Sequence, residues 1–306
     1  MNENMCKFFE VIKDDFPDTL SDGKYQFNND NIYSTYCDNN VDKCKTDIDK
    51  INAGYLYFFI TIFGDSESIK NHEKNNMNIL QYIIIWLSYM LTRKTNDGIS
   101  NLNDFYDQYV NKREEYSTSI NDVNEYNNYK EIIDKKQDFF NLDMRIISRF
   151  YNALKLLCNM YNEINGDVPN CANNHENANK IINEYQNLLN DNDIGTDGSS
   201  YRQMLSTLST DYDNFKKYCD EKCTGCKSTP SLPTTKTTQL SGHISEDTSS
   251  SSSIASKLIP ALSIFAIPFF LGIAYKYSLF GIDKRLKIQY LREKLKKLKK
   301  KMNNYV

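Results

Sequence analysis

The chain has 306 residues, enough for one well-buried domain plus accessory segments, and its net charge of −3 hides a strong split. Residues 1–257 carry 26 Lys and Arg against 38 acids, whereas residues 283–306 carry ten against two. That acidic bulk excludes nucleic acid as a partner, and three histidines with no phosphate-cradling loop leave little from which to build an enzyme.

Residues 3–14 pattern as a short amphipathic helix stopping before Pro17, with Ser21-Asp22-Gly23 as a turn. Residues 24–46 are irregular and polar. Asp47 stands where it can cap a helix that runs to Phe63 and ends at Gly64; its second half, YLYFFITIF, is apolar all round and belongs in the core. Residues 76–94 hold an apolar run from Ile79 to Leu91, too short to span a bilayer, with the single tryptophan, Trp86, inside it. After a turn at Asn96-Asp97-Gly98, helices are expected over 101–116, from Asp122 to Lys136, and from near Asp138 to just before Gly166, this last the longest. Ile146, Ile147, Phe150, Leu154, Leu157, Cys158 and Tyr161 draw its 3.6-residue stripe. An Asn-rich helix over 172–190 places Ile181, Ile182, Tyr185, Leu188 and Leu189 inward, and the last helix covers 199–221. No stretch alternates long enough to build a sheet, so the fold class is all-α.

All eight cysteines, Cys6, Cys37, Cys44, Cys158, Cys171, Cys219, Cys223 and Cys226, lie before the segments described next. An even count confined to one side of the chain points to disulfides in an oxidising compartment, with 105 connectivities open. Cys158, on an apolar helix face, also fits a free buried thiol. Cys223-Thr224-Gly225-Cys226 has the spacing of a redox dithiol, but it follows a helix C-terminus, where no dipole favours a thiolate. Cys171, His175, Cys223 and Cys226 have zinc-ligand spacing but leave four cysteines unexplained; a disulfide clasp closing the domain base accounts for more of them. No cofactor or metal is expected. Of the 37 asparagines none heads an Asn-x-Ser/Thr sequon, which suggests a cell with little N-glycosylation or a surface kept free of sugar.

From Lys227 to Ser253, fifteen of 27 residues are Ser or Thr, two are proline and none is aromatic, the composition of a flexible stalk. Leu258 to Tyr275 is uncharged, and with Lys276 snorkelling the apolar run reaches Ile282, long enough to cross about 30 Å of hydrocarbon. The layout is then a disulfide-stabilised helical ectodomain (1–226), a disordered Ser/Thr/Pro-rich stalk (227–256), a single transmembrane helix (257–282) and a short basic cytoplasmic helix (283–306). The tail residues Lys284, Arg285, Lys287, Arg292, Lys294, Lys296, Lys297, Lys299, Lys300 and Lys301 keep that end in the cytosol and suit the anionic lipids of the inner leaflet. A tail-anchored chain with a cytosolic head is the competing topology; the cysteines argue against it.

Six stretches stand out as landmarks, beginning with Met5-Cys6-Lys7-Phe8-Phe9, Tyr36-Cys37 with Cys44, and Ile51-Asn52-Ala53-Gly54-Tyr55-Leu56-Tyr57. Gln81 to Leu91 (QYIIIWLSYML), Asp104-Phe105-Tyr106 and Leu156-Leu157-Cys158-Asn159-Met160-Tyr161 complete the set. Together they resemble the Plasmodium interspersed repeat (PIR) family, whose rodent-parasite branches are called YIR, CIR and BIR. The resemblance implies a variant antigen, exported by a malaria parasite to the infected erythrocyte membrane, serving immune evasion and, in some members, binding of a host cell-surface receptor. It carries over no ligand-binding residue. The alternative is a structural or transport component of parasite-remodelled host membranes. The polar loops 24–46, 64–76 and 190–200 are expected to be exposed and free to vary.

Overall fold

A computed structural model describes residues 1–37, 41–63, 78–94, 98–118, 126–165, 173–190, 198–223, 226 and 229–233. Among them every extended element is helical, and β structure is confined to isolated bridge residues such as the Ser21–Lys24 pair.

Helix α1 (Glu3–Asp15) starts where the Asn2 side chain accepts from the Met5 N–H (3.0 Å) and stops ahead of Pro17. A four-residue helix, α2 (Asp30–Tyr33), and two 3-10 turns occupy part of the stretch that the sequence leaves irregular. Helix α3 (Asp47–Phe63) is capped by Thr46, not by Asp47: Thr46 Oγ1 accepts from the Asp49 N–H (3.2 Å), and Asp49 Oδ2 accepts from the Thr46 N–H (3.1 Å). Asp47 is used elsewhere, accepting from the Tyr25 N–H (3.0 Å) and pairing with Lys94. Helix α4 (Asn78–Thr92) runs antiparallel to α3, since Lys94 meets Asp47 at one end and Trp86 meets Phe58 in the middle (5.6 Å between rings). Trp86 is 1% exposed, so this apolar run is core.

The expected helix over 101–116 is broken. α5 (Leu102–Phe105) continues as one π-helical turn, Tyr106–Val110, closed by Asn111 N–H to Tyr106 C=O (2.9 Å), and α6 (Glu114–Ser117) restarts after an extended Arg113. The break turns Tyr116 into the core, where its hydroxyl donates to Asn52 Oδ1 of α3 (2.9 Å). The next helix starts later than expected, as α7 (Tyr129–Asp134), because Asn128 caps it and Glu131 reaches back to the Asn127 N–H (2.8 Å). The helix expected from Asp138 is likewise two pieces, α8 (Gln137–Phe140) and α9 (Met144–Asn165). Asp143 separates them, accepting from the Arg145 N–H (2.8 Å) as an N-cap; the Arg145 guanidinium holds its carboxyl below the usual carboxylate range. α10 (Asn173–Leu189) and α11 (Gly198–Lys222) follow, and α11, with 25 residues, is the longest helix described.

α9 is the hub, packing on α1, α4, α10 and α11. It lies parallel to α11, as Phe150 meets Tyr201 (5.4 Å) and Tyr161 meets Phe215 (4.9 Å). The core has two lobes. The larger joins α1, α3, α4 and the short helices; the smaller gathers Leu157, Met160, Tyr161, Ile164, Ile181, Tyr212 and Phe215 around the cysteines. Where α1, α3 and α4 converge, Gly54 lies so close to Phe16 and Trp86 that a Cβ would sit 2.7 Å and 2.9 Å from their rings. The expected loop 190–200 is shorter than anticipated, because residues 198–200 open α11 and Ser200 is buried. Residues 191–197, the loop 64–76, Asn96 and Asp97 of the expected turn, the stalk beyond Pro233, the anchor and the basic tail lie outside the described residues.

Candidate functional site

The cysteines set the frame of the most functional-looking region. Cys6 of α1 is bonded to Cys158 of α9 (Cα–Cα 4.9 Å, 152 residues apart), so Cys158 is no free thiol. Cys37 pairs with Cys44 and Cys219 with Cys226, each bridging seven positions; Cys223 is also disulfide-bonded, and Cys171 lies outside the described residues. Cys223 and Cys226 are therefore not bonded to each other as a redox pair would be. Nor do they offer thiolates to zinc. His175 is exposed on α10 and meets only the neighbouring Asn179 amide, and no His, Cys, Asp and Glu cluster among the described residues could hold a metal.

Beside the Cys6–Cys158 bond an open cleft of about 440 Å³ separates α1 from α9. Phe9, Glu10 and Lys13 face Asn152, Lys155 and Asn159 across it. Lys155 is committed inward: its ammonium lies 3.3 Å from Asp18 and 4.8 and 4.9 Å from the Tyr89 and Tyr151 ring centres. Burial first, and the Asp18 charge second, push the Tyr151 phenol well up, which keeps it neutral. Glu10 balances Lys13, so the cleft has little net charge, and no nucleophile stands against a base in it.

A second buried polar group joins three elements. The Met1 amine is paired with the Asp211 carboxylate and donates to the Tyr82 hydroxyl (2.6 Å), which donates to the other Asp211 oxygen (2.6 Å). This triangle ties α1 to α4 and α11, and it holds Tyr82 in its neutral form. Sequence reading had no way to pair residues so far apart.

The surface is less loop-like than expected. Within 24–46, Tyr25, Tyr33, Cys37 and Cys44 are buried, Phe27 stacks on Tyr33 (4.3 Å), and Tyr25 Oη donates to the Met90 carbonyl (2.8 Å). What remains outside in this stretch is scattered polar side chains such as Gln26, Asn28 and Thr35, next to the exposed Asp22-Gly23 turn that precedes it. Residues 229–233, read from sequence as stalk, are seated on the head; the lone Leu232 between Pro230 and Pro233 was the available signal.

A sequence profile described as Plasmodium variant antigen protein Cir/Yir/Bir matches residues 6–276. The chain belongs to this Plasmodium variant antigen family. Among solved structures, one titled as the structure of a Plasmodium PIR protein ectodomain is similar at a TM-score of 0.58 and 34% identity. The match covers 77% of this chain and 100% of that one. None of the curated proteins compared matches. The PIR head is thus a helical, disulfide-bonded unit whose distinctive residues serve packing and cross-linking.

Proposed function

We propose that this PIR chain is a single-pass variant surface antigen that carries its helical head outside the infected cell, for immune evasion and for contact with a host cell-surface receptor. The observation that carries the reading is the span of the family match, residues 6–276, which runs through the head and the Ser/Thr-rich segment into the apolar run. Disulfides between distant helices suit an oxidising compartment. In this reading residues 257–282 cross the bilayer, and the ten basic tail residues rest on the anionic inner leaflet at about 1 kcal/mol each. Exposed side chains on the Asp22-Gly23 turn and on the outer face of α10, such as Glu176, Asn179 and Lys180, can vary without disturbing the core and supply antigenic difference. The role is display, not catalysis.

The test is protease accessibility on infected cells. Digestion of the head on intact cells, with its cysteines unreactive to thiol reagents until reductant is added, is the expected result. A head cut only after permeabilisation, with free thiols, would instead make the chain a component of remodelled host membranes.

A further inference from the structure

Residues 229–233 lie back against the helix that precedes them. After α11 ends at Lys222, Cys226 is bonded back to Cys219 (Cα–Cα 5.6 Å), and the Thr229 N–H donates to the Cys226 carbonyl (2.8 Å). Tyr212 Oη then donates to the Pro230 carbonyl (2.7 Å) and Lys216 Nζ to Ser231 Oγ (2.7 Å). Between Cys226 and Pro230 the partner on α11 thus moves from Cys219 back to Tyr212, about two helical turns. Leu232 packs against both core lobes, as Met1 does, and covers the seam between them. The chain therefore climbs back along the helix it has just left.

We infer that residues 229–233, with Cys226 as their anchor, are a strap that carries tension: a pull on the chain beyond Pro233 peels them from α11 and is stopped at the Cys226 disulfide. This rests on the reading of a tethered head, since only a tether transmits load. An antiparallel strap pulled from its free end loses its contacts one after another, beginning with Leu232, Ser231 and Pro230. The peel meets covalent bonds at Cys226 and Cys223, and it reaches α11 through the fully buried Cys219, onto which the Asn174 amide is directed (3.8 Å). Without that stop the same tension would draw α11 out turn by turn from its C-terminal end. A Ser/Thr-rich tether thus ends in a short reversible extension and then a hard stop, and the head keeps its shape while the neck yields.

The full-length chain in detergent, held in optical tweezers between a click handle at exposed position 24 and a C-terminal tag, tests the idea. A reversible lengthening of about 25 Å, seven residues at roughly 3.5 Å each, is expected before the head unfolds. Tyr212→Phe and Lys216→Ala, which leave the core intact, lower the force of that step severalfold without changing its length. In parallel, the Thr229 amide exchanges with deuterium at least tenfold faster in Tyr212→Phe. Three outcomes overturn the proposal: no step before unfolding, a lengthening several times longer that reports α11 unravelling, or a step indifferent to both variants. The pulling result stands apart from protease accessibility on cells, so a buried or cytosolic head would refute the display reading without touching the strap.

Discussion

Gly54→Ala sets two effects of similar size against each other, and the packing decides between them. In an exposed helix interior the change is stabilising by up to about 1 kcal/mol, because glycine loses more backbone freedom on folding. At Gly54 the new methyl would lie 2.7 and 2.8 Å from two atoms of the Phe16 ring and 2.9 Å from Trp86. Those contacts fall about 1 Å inside normal carbon separations. Neither ring can retreat freely: Phe16 is surrounded by Tyr25, Phe27, Tyr33 and Trp86, and Trp86 by Phe58. Overpacking of this kind costs about 1–3 kcal/mol, so the net expectation is a loss of about 1–2 kcal/mol. For a domain of this size that lowers Tm by about 2–8 °C. Urea and thermal unfolding of residues 1–233, followed by the fluorescence of Trp86, measures it directly, since Trp86 is the sole tryptophan and lies at the perturbed contact. A variant as stable as the parent, or more stable, would show that α1, α3 and α4 do not meet as closely as described.

Asp211→Asn leaves the buried Met1 amine without its counter-charge and should cost about 3–5 kcal/mol in urea unfolding, whereas Tyr82→Phe, which removes one hydroxyl, should cost about 1–3 kcal/mol. A double-mutant cycle on the two should show coupling, and simple additivity would deny the shared network. Replacing Cys6 and Cys158 together by serine opens the longest cross-link and should cost about 5 kcal/mol on loop entropy; a loss below about 1 kcal/mol would mean the bond constrains little. Burial pushes Tyr36, Tyr109 and Tyr212 up to about 12, and Tyr82, Tyr116 and Tyr151 well above their ordinary value. The folded state therefore holds protons that the unfolded state releases near pH 10. Stability contributed by these tyrosines is intact below about pH 10 and falls as pH rises through 12. Equal urea midpoints at pH 9 and pH 11 would contradict that. Excess EDTA should leave Tm unchanged, because Cys223 and Cys226 are held in disulfides and His175 is exposed; a drop of several degrees would reopen the zinc reading.

Much of the architecture is written in local pattern. The all-round apolar YLYFFITIF, the stripe from Ile146 to Tyr161 and the run around Trp86 each had to be helical and inward, and α3, α9 and α4 are. Boundaries were harder, because they depend on side-chain hydrogen bonds that compete with a continuing helix. Thr46, Asn128 and Asp143 each cap a helix, Asn128 at a start later than periodicity suggested and Asp143 between two helices that periodicity would have joined. The π-helical turn at Tyr106–Val110 has no periodic signature, and the hydrogen bond from Tyr116 to Asn52 that follows it joins residues 64 positions apart. Disulfide pairing, the Met1–Asp211–Tyr82 group and the strap at 229–233 are encounters between residues far apart in the chain, which spacing cannot reveal. In the strap, Leu232 was a single apolar letter in a run of Ser and Thr, and composition outvoted it.

The bond between Cys6 and Cys158 also imposes a schedule on synthesis. At about 5–20 residues per second, the ribosome delivers the second cysteine roughly 8–30 s after the first. During that interval Cys37 and Cys44 are already present, close in sequence and able to close on each other, while Cys6 has no native partner yet made. The order of emergence thus favours the short loop forming first, and it leaves the N-terminal thiol exposed to wrong exchange until α9 has been translated. Yield of the native head during expression should accordingly depend more on disulfide isomerase supply than on the strength of the oxidant.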